Sequence, residues 1–337
     1  MDLSAKEITF NEKGICNFCI QYQETELKRR AEALHPGRTW IYYNLKKGKK
    51  YDCLLGLSGG VDSSTCLHYL AENDIHPLAF SVDNGWNDPK ADENIMRLVE
   101  TLKVPFQRIV LNLPVFKELQ KAFILSGTRN IEIPTDHVLL ALTYKMAAEN
   151  GLKYIISGGN HATEGIMPES YGYQPRDLRH IRAIYKKFTG KNLRGIPTIS
   201  LWKYLYYRFI KGIKIINLLD FYEYNREKSK KLLIDKYGWE DYYAKHEESI
   251  FTKWFQNVWL YQVHKIDKRR PHYSSMINSG QMTREEALKK LETPPESIKL
   301  PMDIGVEVVS IKSYKDYPTN EWLWNLASRI YGIIKTR

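Results

Sequence analysis

Residues 52–65 read DCLLGLSGGVDSST. Leu54–Leu57 has the unbroken apolar character of a strand covered on both faces. Gly59 and Gly60 let the backbone approach a ligand closely, and Val61–Leu70 begins a helix behind them. A strand, a glycine turn and a helix start aim backbone N–H groups and the positive end of a helix dipole at one point, which makes an anion site. It is not a Walker loop, because Asp62 stands where a lysine would have to follow, and Gly56, Gly59 and Gly60 lack the G-x-G-x-x-G spacing of a dinucleotide fold. A carboxylate beside phosphates repels them unless a cation intervenes. Asp62 therefore points to Mg²⁺ bridging to a pyrophosphate, with Ser58, Ser63 and Ser64 donating hydrogen bonds. The alternative is that Asp62 only favours the positive end of the helix.

Outward from this loop, residues 51–158 alternate. Short apolar runs bounded by turn residues predict strands at Tyr51–Leu57, Pro77–Val82, Phe106–Val110 and Tyr154–Ser157. Helical spacing predicts helices over Asn94–Leu102 and Thr135–Asn150. This is the pattern of an α/β protein with a doubly wound parallel sheet, whose ligands bind at the carboxyl ends of the strands. Beyond residue 170 the chain reads as mainly helical, aromatic and basic. The stretch LWKYLYYRFIKGIKIINLLDFY (201–222) is expected to be a helix buried between layers, with an interfacial membrane helix or a docking surface as alternatives.

The chain has 337 residues, 43% of them hydrophobic and 12% aromatic, enough to fill the cores of one or two domains. Its N-terminus, MDLSAKEITF, lacks the order of a signal peptide, and no run of about 18 apolar residues occurs. Four cysteines are too few for a disulfide scaffold, so the expected compartment is the cytoplasm. Residues 1–150 carry 18 Lys+Arg against 19 Asp+Glu, whereas 151–337 carry 32 against 20. The basic half suits a partner rich in phosphate or carboxylate.

SGGVDSS (58–64) resembles the loop of the PP-loop ATP pyrophosphatases, the superfamily of GMP synthetase, asparagine synthetase, NAD synthetase and the tRNA-thiolating enzymes. The resemblance implies that Ser58, Gly59, Gly60, Val61, Asp62, Ser63 and Ser64 grip the pyrophosphate of ATP with Mg²⁺ on Asp62. FSVDNGW (80–86), with Val82 and Asp83, resembles the part that cups adenosine, and SGGN (157–160), with Gly158, Gly159 and Asn160, closes the same crevice.

Four blocks resemble the N-acetyl sugar amidotransferases of surface-polysaccharide (lipopolysaccharide, O-antigen) biosynthesis: EITFNEKGICNFC (7–19), SGGNHATEG (157–165), KHEESIFTKWFQ (245–256) and KIDKRRPHYSSMINSGQMTREEAL (265–288). That family implies a ligase that activates the acetamido oxygen of a nucleotide-linked sugar with ATP. Ammonia then replaces the oxygen to give an acetamidino group, AMP and pyrophosphate. None of the four cysteines sits in a glutaminase context, so ammonia is expected from a separate glutaminase through a barrel subunit, with no nucleic acid involved. A homodimer is compatible with this arrangement. The rival readings are a tRNA-thiolating or related base-adenylating enzyme and a nucleotide-sensing adaptor of a glutaminase.

On this reading the chain divides into a cysteine-containing segment (1–45), an ATP-binding domain (46–170) and a basic, mainly helical substrate and partner domain (171–337). The candidate catalytic residues are Asp62, Asp136, Glu164, Lys253 and Lys268, with a helix-cap role as the alternative for Asp136. Glu248, Thr252 and Gln256 fall four apart on a helix otherwise rich in aromatics and are expected to face the sugar. Lys245, Arg269, Arg270 and Arg284 are expected to meet its diphosphate, the alternative being solvated surface charge. The resemblance makes Cys16 and Cys19 candidates for one half of a structural zinc site, which two thiolates alone leave incomplete. Relatives carry a second cysteine pair upstream, so either this sequence begins downstream of that pair or this member lacks it.

Overall fold

A computed structural model describes residues 1–32, 38–46, 50–241, 248–299 and 310–327. Lys245 lies outside the described residues. Five parallel strands form one sheet: β1 (Cys53–Gly56), β2 (Pro77–Asp83), β3 (Phe106–Val110), β4 (Tyr154–Ser157) and β5 (Lys214–Asn217), in the order β3-β2-β1-β4-β5. In register, Leu54 lies opposite Leu78 and Ile155, and Leu55 opposite Ala79 and Ile156.

Among the described residues the helices run, in chain order, α1 (Asn17–Glu32), α2 (Arg38–Leu45), α3 (Val61–Glu72), α4 (Pro89–Thr101), α5 (Leu113–Leu125), α6 (Ile133–Glu149), α7 (His161–Glu164) and α8 (Leu178–Thr189). They continue with α9 (Leu201–Leu205), α10 (Arg226–Tyr237), α11 (Ile250–Trp254), α12 (Arg269–Asn278) and α13 (Arg284–Glu292). Both α9 and α11 run on as π-helical turns, Tyr206–Ile210 and Phe255–Val263.

Alternation along the strands divides the core between the two faces of the sheet. Cys53, Leu55, Ala79 and Ile156 face α2, α3, α4 and α10, whereas Leu54, Leu78, Phe80 and Ile155 face α6 and the segment around Ile199, Tyr207 and Ile213. Leu54 and Leu55 are wholly buried, each contributing about 1.5–3 kcal/mol by leaving water. A third cluster draws Cys16, Phe18 and Tyr22, Phe116 and Phe123, and Phe251, Trp254 and Trp259 together. It takes side chains from all three expected divisions of the chain, so the core does not break at residues 45 or 170.

The strands and helices expected within residues 51–158 all occur, with ends shifted by at most five residues. One expectation fails. Residues 201–222 are not one buried helix: the helical run ends at Lys211, Gly212 turns with φ +67°, and Lys214–Asn217 forms the edge strand β5. The physical reason lies in GIKIIN, where a left-handed glycine followed by β-branched Ile213, Ile215 and Ile216 favours a strand. Trp202 and Ile210, at 76% and 75% exposure, point into solvent.

Candidate functional site

The strand order reverses between β1 and β4, and the crevice of a doubly wound sheet opens at such a point, outside the carboxyl ends. Both glycine loops emerge there. After β1, Gly59 adopts φ +81°, and a Cβ on it would lie 2.4 Å from the Ala91 carbonyl oxygen of α4. Only glycine fits. Buried Trp239 fixes the turn by donating Nε1–H to the Gly59 carbonyl at 3.0 Å. Gly60 is the extended residue before α3, whose first-turn N–H groups have no acceptor within the helix. After β4, Gly158 presses on the same helix start: a Cβ there would meet Ser63 N at 2.9 Å and Asp62 C at 3.0 Å.

The hydroxyls divide their roles. Ser63 Oγ accepts from Ser58 N at 3.2 Å and lies 3.2 Å from Ser58 Oγ, which in turn accepts from Gly60 N at 3.3 Å. These two serines brace the loop. Ser64 is fully buried, its hydroxyl turned into the protein rather than towards the crevice, and has no hydrogen-bond partner among the described residues. Val61 is buried under the loop. Asp62 stays half-exposed and accepts a hydrogen bond from the Tyr224 hydroxyl. Burial first, and the Asp62 carboxylate second, push the Tyr224 phenol well above its usual range, so it remains a donor. Tyr224 is held by Gln281, whose amide donates to the Tyr224 carbonyl at 3.1 Å.

On the other expected ATP contacts, Asp83 Oδ1 accepts from Gly85 N at 2.9 Å at the end of β2, and half-buried Val82 packs against the core beside it. Asn160, buried, caps α7 by accepting from Thr163 N at 2.9 Å and donates to the Gly158 carbonyl at 3.3 Å. These bonds set the β4 loop. Gly159 N donates to Ser157 Oγ at 3.1 Å.

Glu248, expected on the sugar side, lies instead against the glycine loop after β1. The Glu248 Oε1 atom lies 3.0 Å from where a Gly60 Cβ would stand. The segment is held there by main-chain bonds, Ile250 N to Trp86 O at 2.9 Å and Asp88 N to Glu248 O at 3.0 Å. One turn further on, Thr252 donates its hydroxyl to Glu132. Gln256 is half-buried in the π-helical run.

Glu132 belongs to a second group of charges. Lys268, just before α12, faces Glu132 and Asp136 at the start of α6 and Glu164 at the end of α7. Protein surrounds Lys268 although part of it stays open to water, as for a side chain lining a crevice. Desolvation lowers its pKa, and the three carboxylates act in the opposite direction. The N-cap position of α6 is Glu132; Asp136 lies inside the first turn, exposed.

The remaining candidates are engaged with other parts of the chain or with solvent. Lys253 pairs with Glu296 at 2.7 Å. Arg269 grips Asp267 at 2.7 Å and donates to the carbonyls of Lys290 and Thr293 at 3.1 and 2.9 Å, tying α12 to the end of α13. Arg270 pairs with Asp2 at 3.0 Å, and Arg284 is exposed at the start of α13.

Cys16 and Cys19 bring their sulfurs to 3.5 Å. Burial raises the Cys19 thiol, and Asn278 Nδ2 donates to its sulfur at 3.4 Å. Among the described residues no cluster of three or more His, Cys, Asp or Glu is placed to hold a metal, so the expected zinc finds no support, since two thiols supply half of a tetrahedral set. No helix among the described residues is long and apolar enough to cross a membrane.

Sequence reading missed Tyr224, Trp239 and Glu132. The first two stand in no motif. Glu132 was visible only as the acid before IPTD, where a helix starts.

Residues 248–306 match the family described as the C-terminal domain of WbpG-like LPS biosynthesis proteins. An uncharacterised protein of Methanocaldococcus jannaschii is 25% identical over 311 residues, covering 90% of this chain and 93% of its own. Among solved structures, the chain is similar to an NH3-dependent NAD synthetase from Campylobacter jejuni (16% identity, 82% of this chain and 99% of that one, TM-score 0.32). It is also similar to an NMN synthetase from Francisella tularensis (12%, 84% and 98%, TM-score 0.35).

Proposed function

We propose that the chain is an ATP-dependent ligase that converts the N-acetyl group of a nucleotide-linked sugar to an acetamidino group, releasing AMP and pyrophosphate. The observation that carries this reading is the placement of Glu248. The segment matching an LPS-biosynthesis domain begins against Gly60 of the phosphate loop and reaches, through Thr252 and Glu132, the charge cluster around Lys268. On this reading an anion cradle and a proton-handling cluster share one crevice.

The residues present suit ATP and Mg²⁺. Gly59 and Gly158 leave room that a Cβ would fill, the start of α3 supplies N–H groups, and Asp62 and Glu248 bring two carboxylates to its edge. Mg²⁺ there would neutralise charge on the pyrophosphate. Tyr224 orients Asp62, and Trp239 holds the Gly59 carbonyl away from the phosphates. At the far end, Asp136 and Glu164 hold incoming ammonium and take its proton, so that neutral ammonia attacks the activated carbon. Lys268 offsets the negative charge that develops on the departing oxygen. Ammonia is expected from a separate glutaminase subunit.

The test incubates the chain with ATP, Mg²⁺, ammonium and a panel of UDP-N-acetyl sugars, and measures AMP and pyrophosphate. Sugar-dependent release of both supports the reading. Release that depends instead on tRNA and a sulfur donor would overturn it, and no turnover with either points to a nucleotide-sensing adaptor.

A further inference from the structure

Residues 178–219 contain ten Lys+Arg and no Asp or Glu. Within this acid-free stretch lies the helical rod 201–210, which buries Tyr207 and turns Trp202, Tyr206, Phe209 and Ile210 outward. Those four positions follow the i, i+4, i+7, i+8 spacing of one helix face. Lys203, Lys211 and Lys214 are exposed between them, and Ile215 extends the apolar surface onto β5 at 43% exposure. Arg208 takes no part, since it donates to the Ile213 carbonyl at 2.9 Å and holds the turn. Beside the rod runs a groove of about 400 Å³, lined by Lys145, Lys203, Tyr207, Gly195, Pro197 and Ile199. Among the described residues, the carboxylate that meets a lysine of this groove is Glu149, 3.8 Å from Lys145 and on the same helix.

We propose that this face docks the protein on an anionic phospholipid bilayer, with Trp202, Phe209 and Ile210 entering the interface and the Lys145–Lys203 groove receiving a headgroup phosphate. Charge complementarity selects the partner: a short helix with bulky apolar side chains on one face and lysines flanking them lies in the plane of an anionic surface. Nucleic acid would satisfy the lysines and stack on Trp202, yet it gives exposed Ile210 and Ile215 nothing to bury against. The topology also fits. Lys211 and Gly212 lead into the amino end of β5, whereas the ATP crevice opens at the carboxyl ends of β1 and β4, so a bilayer seated here leaves the crevice clear. The inference is independent of the reaction proposed above.

The intact protein is sedimented with vesicles of phosphatidylcholine alone and of phosphatidylcholine mixed with phosphatidylglycerol. It should pellet with the anionic vesicles and much less with the neutral ones, and added salt should release it. Each lysine near such a surface contributes about 1 kcal/mol. The double substitution Lys203→Gln/Lys211→Gln should therefore weaken binding by about 30-fold. Trp202→Ser/Ile210→Ser should weaken it as well, and dibrominated acyl chains should quench fluorescence in the parent but not in Trp202→Phe. All these positions are exposed, so unfolding temperatures should not move. Equal binding to neutral vesicles, no binding to either, or variants that bind like the parent would overturn the proposal. So would a lipid-free dimer that Trp202→Ser/Ile210→Ser dissociates while vesicles retain nothing, or retention by homopolymeric RNA tighter than by vesicles.

Discussion

Gly158→Ala tests whether the β4 loop and the start of α3 form one ligand crevice. A methyl on Gly158 would lie 2.9 Å from Ser63 N, 3.0 Å from Asp62 C and 3.2 Å from Asp62 Cβ, up to 0.5 Å inside ordinary contact. All three are main-chain or near-main-chain atoms, so no flexible side chain can step aside. Gly158 is not in the left-handed region, which leaves crowding as the sole cost. Overpacking of this kind costs about 1–3 kcal/mol, which in a chain of this size lowers the unfolding temperature by a few degrees. The function should suffer more than the fold. Moving Asp62 and the first turn of α3 by about half an ångström displaces the anion cradle, and misplacement on that scale costs about tenfold in rate. The assay is AMP release beside a thermal melt, with Gly190→Ala as control. Gly190 caps α8 at φ +71° with nothing within 4 Å of its Cβ position, so its substitution costs about 1–2 kcal/mol of strain and leaves AMP release unchanged. If Gly158→Ala releases AMP at the parental rate, or Gly190→Ala loses as much, the crevice is not where the two loops meet.

Other substitutions separate the parts of the site. Tyr224→Phe removes the hydroxyl that donates to Asp62 and should cost about 1 kcal/mol of stability and raise the Mg²⁺ concentration needed for ATP binding, read by calorimetry; an unchanged Mg²⁺ requirement would count against the orienting role. Glu248→Gln should also change that requirement, whereas a sugar-side residue would alter only the KM for the sugar. Acid should destabilise the fold through two buried histidines. His137 lies 2.8 Å from the Pro175 carbonyl through Nδ1 and accepts from Ile199 N at 3.2 Å through Nε2, which requires the neutral ring. Burial lowers His137 and His180 from 6.5 to about 4. Above pH 6.5 neither contributes to pH dependence. As pH falls from 6.5 towards 4 the unfolded chain binds protons that the folded chain refuses, and each histidine removes up to about 3 kcal/mol. Urea midpoints should fall across that window, less steeply in His137→Gln; a flat profile would refute it.

By itself the sequence determined the local geometry of the loop and the class of the fold. A strand, two glycines and a helix start in immediate succession are fixed by short-range sterics, so LLGLSGGVDSS could be read without the rest of the chain. The strands at 77–83 and 154–157 were legible for a similar reason: buried parallel strands leave unbroken apolar runs between turn residues, whereas the edge strand 106–110, FQRIV, was marked only by Phe106, Ile109 and Val110 between turns. β5 was hidden because an edge strand needs less apolar sequence, and its aromatic neighbours imitated a helix. What only the tertiary structure decided is which distant groups share the crevice. Tyr224 reaches Asp62 across 162 positions. Trp239 reaches Gly59 across 180, and Thr252 reaches Glu132 across 120. Nothing local records such pairings, because they arise where the sheet order reverses and the C-terminal helices fold back over that edge. Glu248 shows the difference best. Its spacing with Thr252 and Gln256 announced a polar stripe, but only main-chain pairing with residues 86–88 laid the start of that stripe against the glycine loop after β1.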